Sequence, residues 1–210
     1  SNSGYIHLDT KNRQSLNLLT LTSPTLEEVL WEEDIKCSGI SFGNCTKLIK
    51  VPSFLWKNCT STARMFTGAS TFNQDISMWD TSKVTNMLGM FYSATAFNQP
   101  LNNWDVSNVT NMSWTFNNAT AFNQPLNNWD TSNVVNMLAT FAACKAFNQD
   151  ISSWNVGKVT TMGSLFNGAS VFNQPLNNWD VSSVTDMNGM FDSTNAFNQP
   201  LNNWDVSNVA

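Results

Sequence analysis

An α/β repeat solenoid is the fold this sequence predicts: right-handed coils of 25 residues, each with one short parallel strand and a short helical or 3-10 return. Three observations predict it. Phe-Asn-Gln recurs at Phe72, Phe97, Phe122, Phe147, Phe172 and Phe197 with no insertion between copies, and a fixed period of this kind marks a repeat architecture. Each unit carries one Trp, two Phe, a Val, a Met or two and a Leu or Ile, which one unit cannot bury alone and stacked units can. Pro100, Pro125, Pro175 and Pro200 forbid a long helix through the F-N-Q-P-L segment. A 25-residue unit is also too short for the helical-hairpin repeats of about 33–47 residues. It fits the class of roughly 20–29, whose coils pair a short strand with a partly helical return.

The unit reads F-N-Q-[PD]-[LI]-x-x-W-[DN]-[VT]-[SG]-x-V-x-x-M-x-x-x-F-x-x-A-x-x. The short strand is expected at Gln-Pro-Leu-Asn, for example residues 99–102. Asp80-Thr-Ser82 and its equivalents follow each Trp. Asp there suits an Asx-turn, and Ser suits the cap of a short helical segment running to Met-x-x-x-Phe. Val-x-x-Met-x-x-x-Phe then forms one apolar stripe. The small column Ala69, Ala94, Ala119, Cys144, Ala169 and Thr194 fits a tight bend, with Cys144 a small buried hydrophobe rather than a reactive thiol. The column Asn73, Asn98, Asn123, Asn148, Asn173 and Asn198 is expected to be buried and to bond backbone groups and its own neighbours along the stack.

Residues 1–39 form a capping segment in this reading and 40–210 the solenoid, with a divergent first coil at 40–66 and regular repeats to 209. Leu16, Leu18, Leu19 and Leu21 make an apolar stretch before Ser23-Pro24. Thr25 to Asp34 reads equally as a helical turn capped by Thr25, with Glu28 at N3, or as an alternating strand. In the first coil Cys45-x-x-Leu48 precedes Ala69-x-x-Phe72 by 24 residues, so it is already in register. The sequence stops at Ala210 in mid-unit, and truncation is expected at that end.

Charged residues make up only 12 % of the chain, with net charge -5. Residues 1–64 hold seven Lys/Arg against six Asp/Glu, and residues 65–210 three against nine. The repeats are therefore mildly acidic, which argues against nucleic acid as a partner. No stretch approaches the ~18 apolar residues of a membrane span. Cys37, Cys45, Cys59 and Cys144 are too scattered for a CxxC metal site, while one bridge among the first three stays open.

The unit FNQPLNNWDVSNVTNM…F resembles the repeat of the BspA-like leucine-rich-repeat surface proteins, the DUF285 type found in mycoplasmas, other bacteria and some protists. The likeness covers residues 40–210. It implies a leucine-rich-repeat-like coil displayed at the cell surface, with adhesion or host-interaction roles, and it brings no catalytic residue with it.

An enzyme is not expected. His7 is the single histidine, and no nucleophile–base set or phosphate loop accompanies it. No cofactor is expected, and no metal site is assigned. The column Asp80, Asp105, Asp130, Asp180 and Asp205, interrupted by Asn155, offers oxygen ligands that would suit calcium, but turn formation is the preferred reading. The expected function is a cell-surface binding or adhesion module that recognises a protein or carbohydrate on a host or neighbouring cell. The alternative is a spacer or stalk with no ligand of its own. Recognition would fall where the copies differ: Ser113–Trp114, Leu138–Ala139, Gly163–Ser164, Asn188–Gly189, and the pairs at 67–68, 92–93, 117–118, 142–143, 167–168 and 192–193. From these, Trp114, Asn117, Asn118, Leu138, Ser164, Asn188 and Asp192 are the binding candidates. Trp114 stands where other copies have Gly, Ala or Ser; local packing is preferred for it over exposure.

Overall fold

The computed structural model describes residues 4–8, 19–35 and 37–210. Among the described residues, strands occur only at the N-terminal end: β1 (Tyr5–Leu8), β2 (Leu19–Thr20), β3 (Glu28–Trp31) and β4 (Ile40–Ser41). They form two open two-stranded parallel sheets, β1 with β3 and β2 with β4. The alternating reading of Thr25–Asp34 prevails over the helical one. Val29 and Trp31 of β3 are buried, and Glu28 and Leu30 are half-exposed. Leu16 and Leu18 lie outside the described residues.

The register of these strands already has the logic of the repeats. Tyr5 pairs with Glu28, and Leu19 with Ile40. Glu28 bridges in parallel to Lys50, and the Phe42 amide donates to the Met65 carbonyl at 2.8 Å. The segment expected to be a cap thus lies in the stack as shorter layers, 21 to 23 residues apart instead of 25.

From residue 61 onward the copies lie on one another through parallel bridges, Ser61 to Asn86, Asn111, Asn136, Thr161 and Asp186 in turn. These are single bridges and not strands. The expected α/β leucine-rich-repeat-like solenoid, with a strand and a helical return in every coil, is overturned. Among the described residues there is no helix of either kind, and no strand falls within any 25-residue copy. Residues 99–102, expected as the strand, have no ladder pairing and turn at 102–103. The segment from Ser82 to Phe91, expected as helical, instead carries a bridge at Asn86 and ends in a run of turns over 88–93.

The backbone amides explain that run. Met90, Tyr92 and Ala94 donate within the copy to Met87, Gly89 and Phe91 at 3.0–3.1 Å. Met87, Gly89, Phe91 and Ser93 donate instead to Asn111, Ser113, Thr115 and Asn117 of the next copy at 2.8–2.9 Å. Alternate amides thus serve the turn and the stack, whereas a helix would spend all of them within the segment. Left-handed backbone at Gly89 (φ 58°) and Ser93 (φ 56°) enforces the alternation, since right-handed helix cannot run through such residues.

Inside lie the apolar columns. The two Phe of each copy stack closely, as Phe91 on Phe97 at 4.0 Å and Phe116 on Phe122 at 4.2 Å. Each column also continues into the next copy, as Phe97 on Phe122 at 6.0 Å and Trp129 on Trp154 at 6.0 Å. The small column is fully buried as expected, and its two polar members are satisfied. Cys144 Sγ donates to the Phe116 carbonyl at 2.8 Å and Thr194 Oγ1 to that of Phe166 at 2.6 Å. The Asn column does form a ladder: the amide of Asn98 donates to Asn73 Oδ1, that of Asn123 to Asn98 Oδ1, and so on to Asn198. Its expected burial does not hold. These asparagines are half-buried or exposed, because the ladder closes a surface bend and not the core.

Candidate functional site

The same run of turns sorts side chains into two sets. Met87, Met90, Phe91 and Ala94 are buried, while Leu88, Tyr92 and Ser93 are not, and Gly89 has no side chain to present. The outward positions differ from copy to copy, as does the buried column Met65, Met90, Thr115, Thr140, Leu165 and Met190. Stacking at a 25-residue interval places the outward positions in files: Arg64, Gly89, Trp114, Ala139, Ser164 and Gly189 in one, and Thr67, Tyr92, Asn117, Ala142, Asn167 and Asp192 in the next.

Three neighbouring copies form a groove of about 410 Å³ on this surface, lined by Arg64, Thr67, Gly89, Tyr92, Trp114 and Asn117. Gly89 makes the floor: a Cβ there would stand 3.7 Å from Arg64 Cγ and Tyr92 Cβ and 3.8 Å from Thr67 Oγ1. Thr67 Oγ1 is held in place by donating to the Gly89 carbonyl at 2.8 Å. Arg64 and Thr67 also edge a second hollow of about 570 Å³, which runs towards Thr20, Ser41 and Asn44 of the N-terminal layers.

Of the seven binding candidates, only Trp114 and Asn117 share this groove. Asn118 is in the adjoining file, its Nδ2 3.1 Å from Ser93 Oγ. Leu138 lies one copy further on, its Cδ1 3.2 Å from where a Gly163 Cβ would be. Ser164, Asn188 and Asp192 follow along the stack. The Asn188 amide donates to Asp186 Oδ1, and Asp192 Oδ2 accepts from Asn167 Nδ2 at 3.5 Å. The candidates therefore mark a strip across several copies and not one pocket. Arg64 was missed, although it stands 25 and 50 residues before Gly89 and Trp114. Extending the column back into the divergent first coil would have found it.

Trp114 is 37 % exposed and its backbone is left-handed (φ 56°). Such a conformation costs a bulky residue about 1 kcal/mol. Its ring has no aromatic neighbour and its indole N–H no acceptor among the described residues. The local packing expected of it involves no aromatic stack, and its surface is nonetheless largely covered.

The Asp column closes turns. Asp80 Oδ1 accepts from the Ser82 amide at 3.0 Å and the Ser82 hydroxyl at 2.6 Å; Asp105 and Asp180 repeat the pattern with Ser107 and Ser182. Hydrogen bonds from Ser82 and Ser132 hold the Asp80 and Asp130 carboxyls below the usual carboxylate range. Asn155 makes the same turn with its amide oxygen, accepting from the Gly157 amide at 3.1 Å. Among the described residues no three His, Cys, Asp or Glu converge as metal ligands would. His7 lies exposed on β1. None of the four cysteines is in a disulfide, and burial pushes the thiols of Cys45, Cys59 and Cys144 up.

The chain matches the family described as "Mycoplasma protein of unknown function, DUF285" over residues 39–147 and 123–210. No curated protein and no solved structure is similar to it.

Proposed function

Because the chain belongs to the DUF285 family, whose description assigns no activity, we propose from the geometry that it is a non-enzymatic binding module. It recognises a protein or glycan partner through the outward files of the stack. The observation that carries this reading is the coincidence of variation with surface. The outward members of the turn run change from copy to copy, and they adjoin one another along the stack. A contiguous exposed strip of varied side chains is what a recognition surface requires. The likeness to BspA-like surface proteins supports placing the module at the cell surface, facing a host or neighbouring cell.

The unbroken aromatic columns favour a second reading, a spacer that holds another domain away from the cell. One screen separates the two. The intact chain is tested against arrays of glycans and surface proteins beside variants in the outward files (Asn117→Ala, Leu138→Ala, Asn188→Ala) and a variant on the opposite bend (Asn127→Ala). Binding that the first set weakens and the last leaves intact supports recognition. Absence of any ligand, or equal loss in all four, sinks it in favour of the spacer.

A further inference from the structure

The groove across Arg64, Tyr92 and Trp114 has a more specific chemistry than a general binding strip. Nine tryptophans occur in the chain. Eight of them donate the indole N–H to a backbone carbonyl, as Trp104 does to Ile76 at 3.1 Å and Trp129 to Leu101 at 2.9 Å. Trp114 is the exception, is 37 % exposed and has no stacked aromatic partner among the described residues. Tyr92, 40 % exposed, also has neither a stacking partner nor a hydroxyl partner among the described residues. The ion pairs among the described residues are Lys50 with Glu28 and Lys57 with Glu33 and Asp34. Arg64 is in none of them, and it is the one charged residue lining the groove.

We propose that this groove binds a carboxylated sugar, a sialic or uronic acid residue of a glycan; the inference rests on the binding function proposed above. The indole and phenol rings offer flat apolar faces to the C–H face of a pyranose, and both are rigid groups with little rotamer freedom to lose. The planar guanidinium of Arg64 pairs bidentately with a carboxylate, a fit that an ammonium does not match. Asn117 supplies an amide for ring hydroxyls; its Nδ2 meets the Ala139 carbonyl only at the limiting distance of 3.5 Å. Thr67 already donates to the Gly89 carbonyl, so its oxygen is left to accept. A volume of about 410 Å³ falls within the range of small-ligand sites, roughly 300–1,000 Å³. The absent side chain at Gly89 lets the sugar ring settle between the aromatic residues. Charge along the strip points the same way: Arg64 is at one end, and Asp186 and Asp192 lie five copies further on, so the acidic groups stand away from the groove.

The test is calorimetric titration of the chain with 3′-sialyllactose, with a glucuronate-containing oligosaccharide and with neutral lactose. At least one of the two acidic sugars should bind, and lactose should bind at least about tenfold more weakly, the worth of one charged hydrogen-bonded contact. Arg64→Gln should abolish that preference and Arg64→Lys restore only part of it. Trp114→Gly should remove binding of all three sugars without lowering the melting temperature, because glycine occupies the same left-handed position at Gly89 and Gly189. Equal affinity for lactose and the acidic sugars, or an undiminished preference in Arg64→Gln, overturns the assignment. If no sugar binds while the screen above finds a protein ligand lost on Leu138→Ala, this inference fails and the binding function stands. Silence in both experiments ends both.

Discussion

Trp104 and Trp114 lie ten residues apart and on opposite sides of the same wall. Trp104 is 3 % exposed, stacks on Trp79 at 6.3 Å and Phe91 at 6.4 Å, and donates its indole N–H to the Ile76 carbonyl. Trp114 has none of these contacts and a strained backbone besides. Residue type alone does not tell them apart. What separates the two is the column each occupies: the first has its like at every 25th residue, and the second stands alone among Gly, Ala, Ser and Arg. An interior aromatic column is held by its copies above and below, whereas the outward file of Trp114 has no such column and presents its side chains to a partner.

The largest effect should come from putting that contrast to a stability test. Trp104→Ala opens a cavity between aromatic columns and leaves the Ile76 carbonyl unpaired. It should cost about 3–5 kcal/mol, read as a fall in the urea midpoint by far-UV circular dichroism. Trp114→Ala should move the same midpoint by no more than about 0.5 kcal/mol. Comparable losses in the two variants would erase the distinction between interior and outer columns.

A smaller effect separates the interior from the surface ladder. Asn123 Oδ1 accepts from the Asn148 amide at 3.0 Å and Gln149 Nε2 at 3.0 Å. Removing it by Asn123→Ala should cost about 1 kcal/mol, the net worth of a hydrogen bond that water can partly replace. Asn123→Asp keeps the accepting oxygen and should recover most of the loss at pH 7. Thermal melts of the two variants decide it, and no difference between them would mean that the ladder contributes nothing through that oxygen.

The period, the buried columns, the closed bend and the Asn ladder were legible in the sequence because each depends on a residue type recurring at a fixed interval. The path of the backbone was not. Met87, Met90, Phe91 and Ala94 are spaced at i, i+3, i+4 and i+7, which is the stripe of an amphipathic helix. A run of turns with every fourth residue left-handed buries the same four positions. Hydrophobic spacing therefore could not distinguish the two, and the signal that could was at the outward positions. Gly, Ser or Asn at 68, 93, 118, 168 and 193, broken only by Ala143, is the composition expected where left-handed backbone recurs. The strand expected at 99–102 failed for a related reason. Parallel pairing goes to the segment around Asn86 and Asn111, where no proline removes an amide from the ladder. Of the groove, the sequence singled out Trp114 and Asn117 by their variation but could not show that Arg64, two copies earlier, faces them.

Thr62 gives the comparison a test of opposite sign. It sits where later copies have Met87, Met112, Met137 and Met162, and its buried hydroxyl has no partner among the described residues. Thr115 and Thr140 are buried as well, but their hydroxyls donate to the Met87 and Met112 carbonyls of the preceding copies at 3.0 and 2.9 Å. Thr62→Val keeps the shape and removes an unsatisfied group, so it should stabilise by about 1 kcal/mol. Thr115→Val should destabilise or be neutral. Chemical denaturation of the pair reads the difference, and destabilisation by Thr62→Val would mean that its hydroxyl is satisfied after all.

The smallest effect per site is electrostatic and again contrasts two copies. Hydrogen bonds from Ser132, and to a lesser degree the charge of Lys158, depress the Asp130 carboxyl. A depressed carboxyl contributes stability that is present above its unfolded value, near pH 4, and is lost as pH falls through the lower folded value. Asn155 closes the equivalent turn one copy later and does not titrate. The melting temperature should therefore decline as pH falls below about 4. Asp130→Asn, which turns one copy into the likeness of its neighbour, should lower it slightly at pH 7 and make the acid decline shallower, so that the two chains converge in acid. Asp130 is a surface group, so the change from one copy is small, and the combined Asp80→Asn and Asp130→Asn variant should flatten the decline further. A decline as steep as that of the unaltered chain would show that acid acts elsewhere, on the side chains of the N-terminal layers, where Glu28, Glu33 and Asp34 meet Lys50 and Lys57.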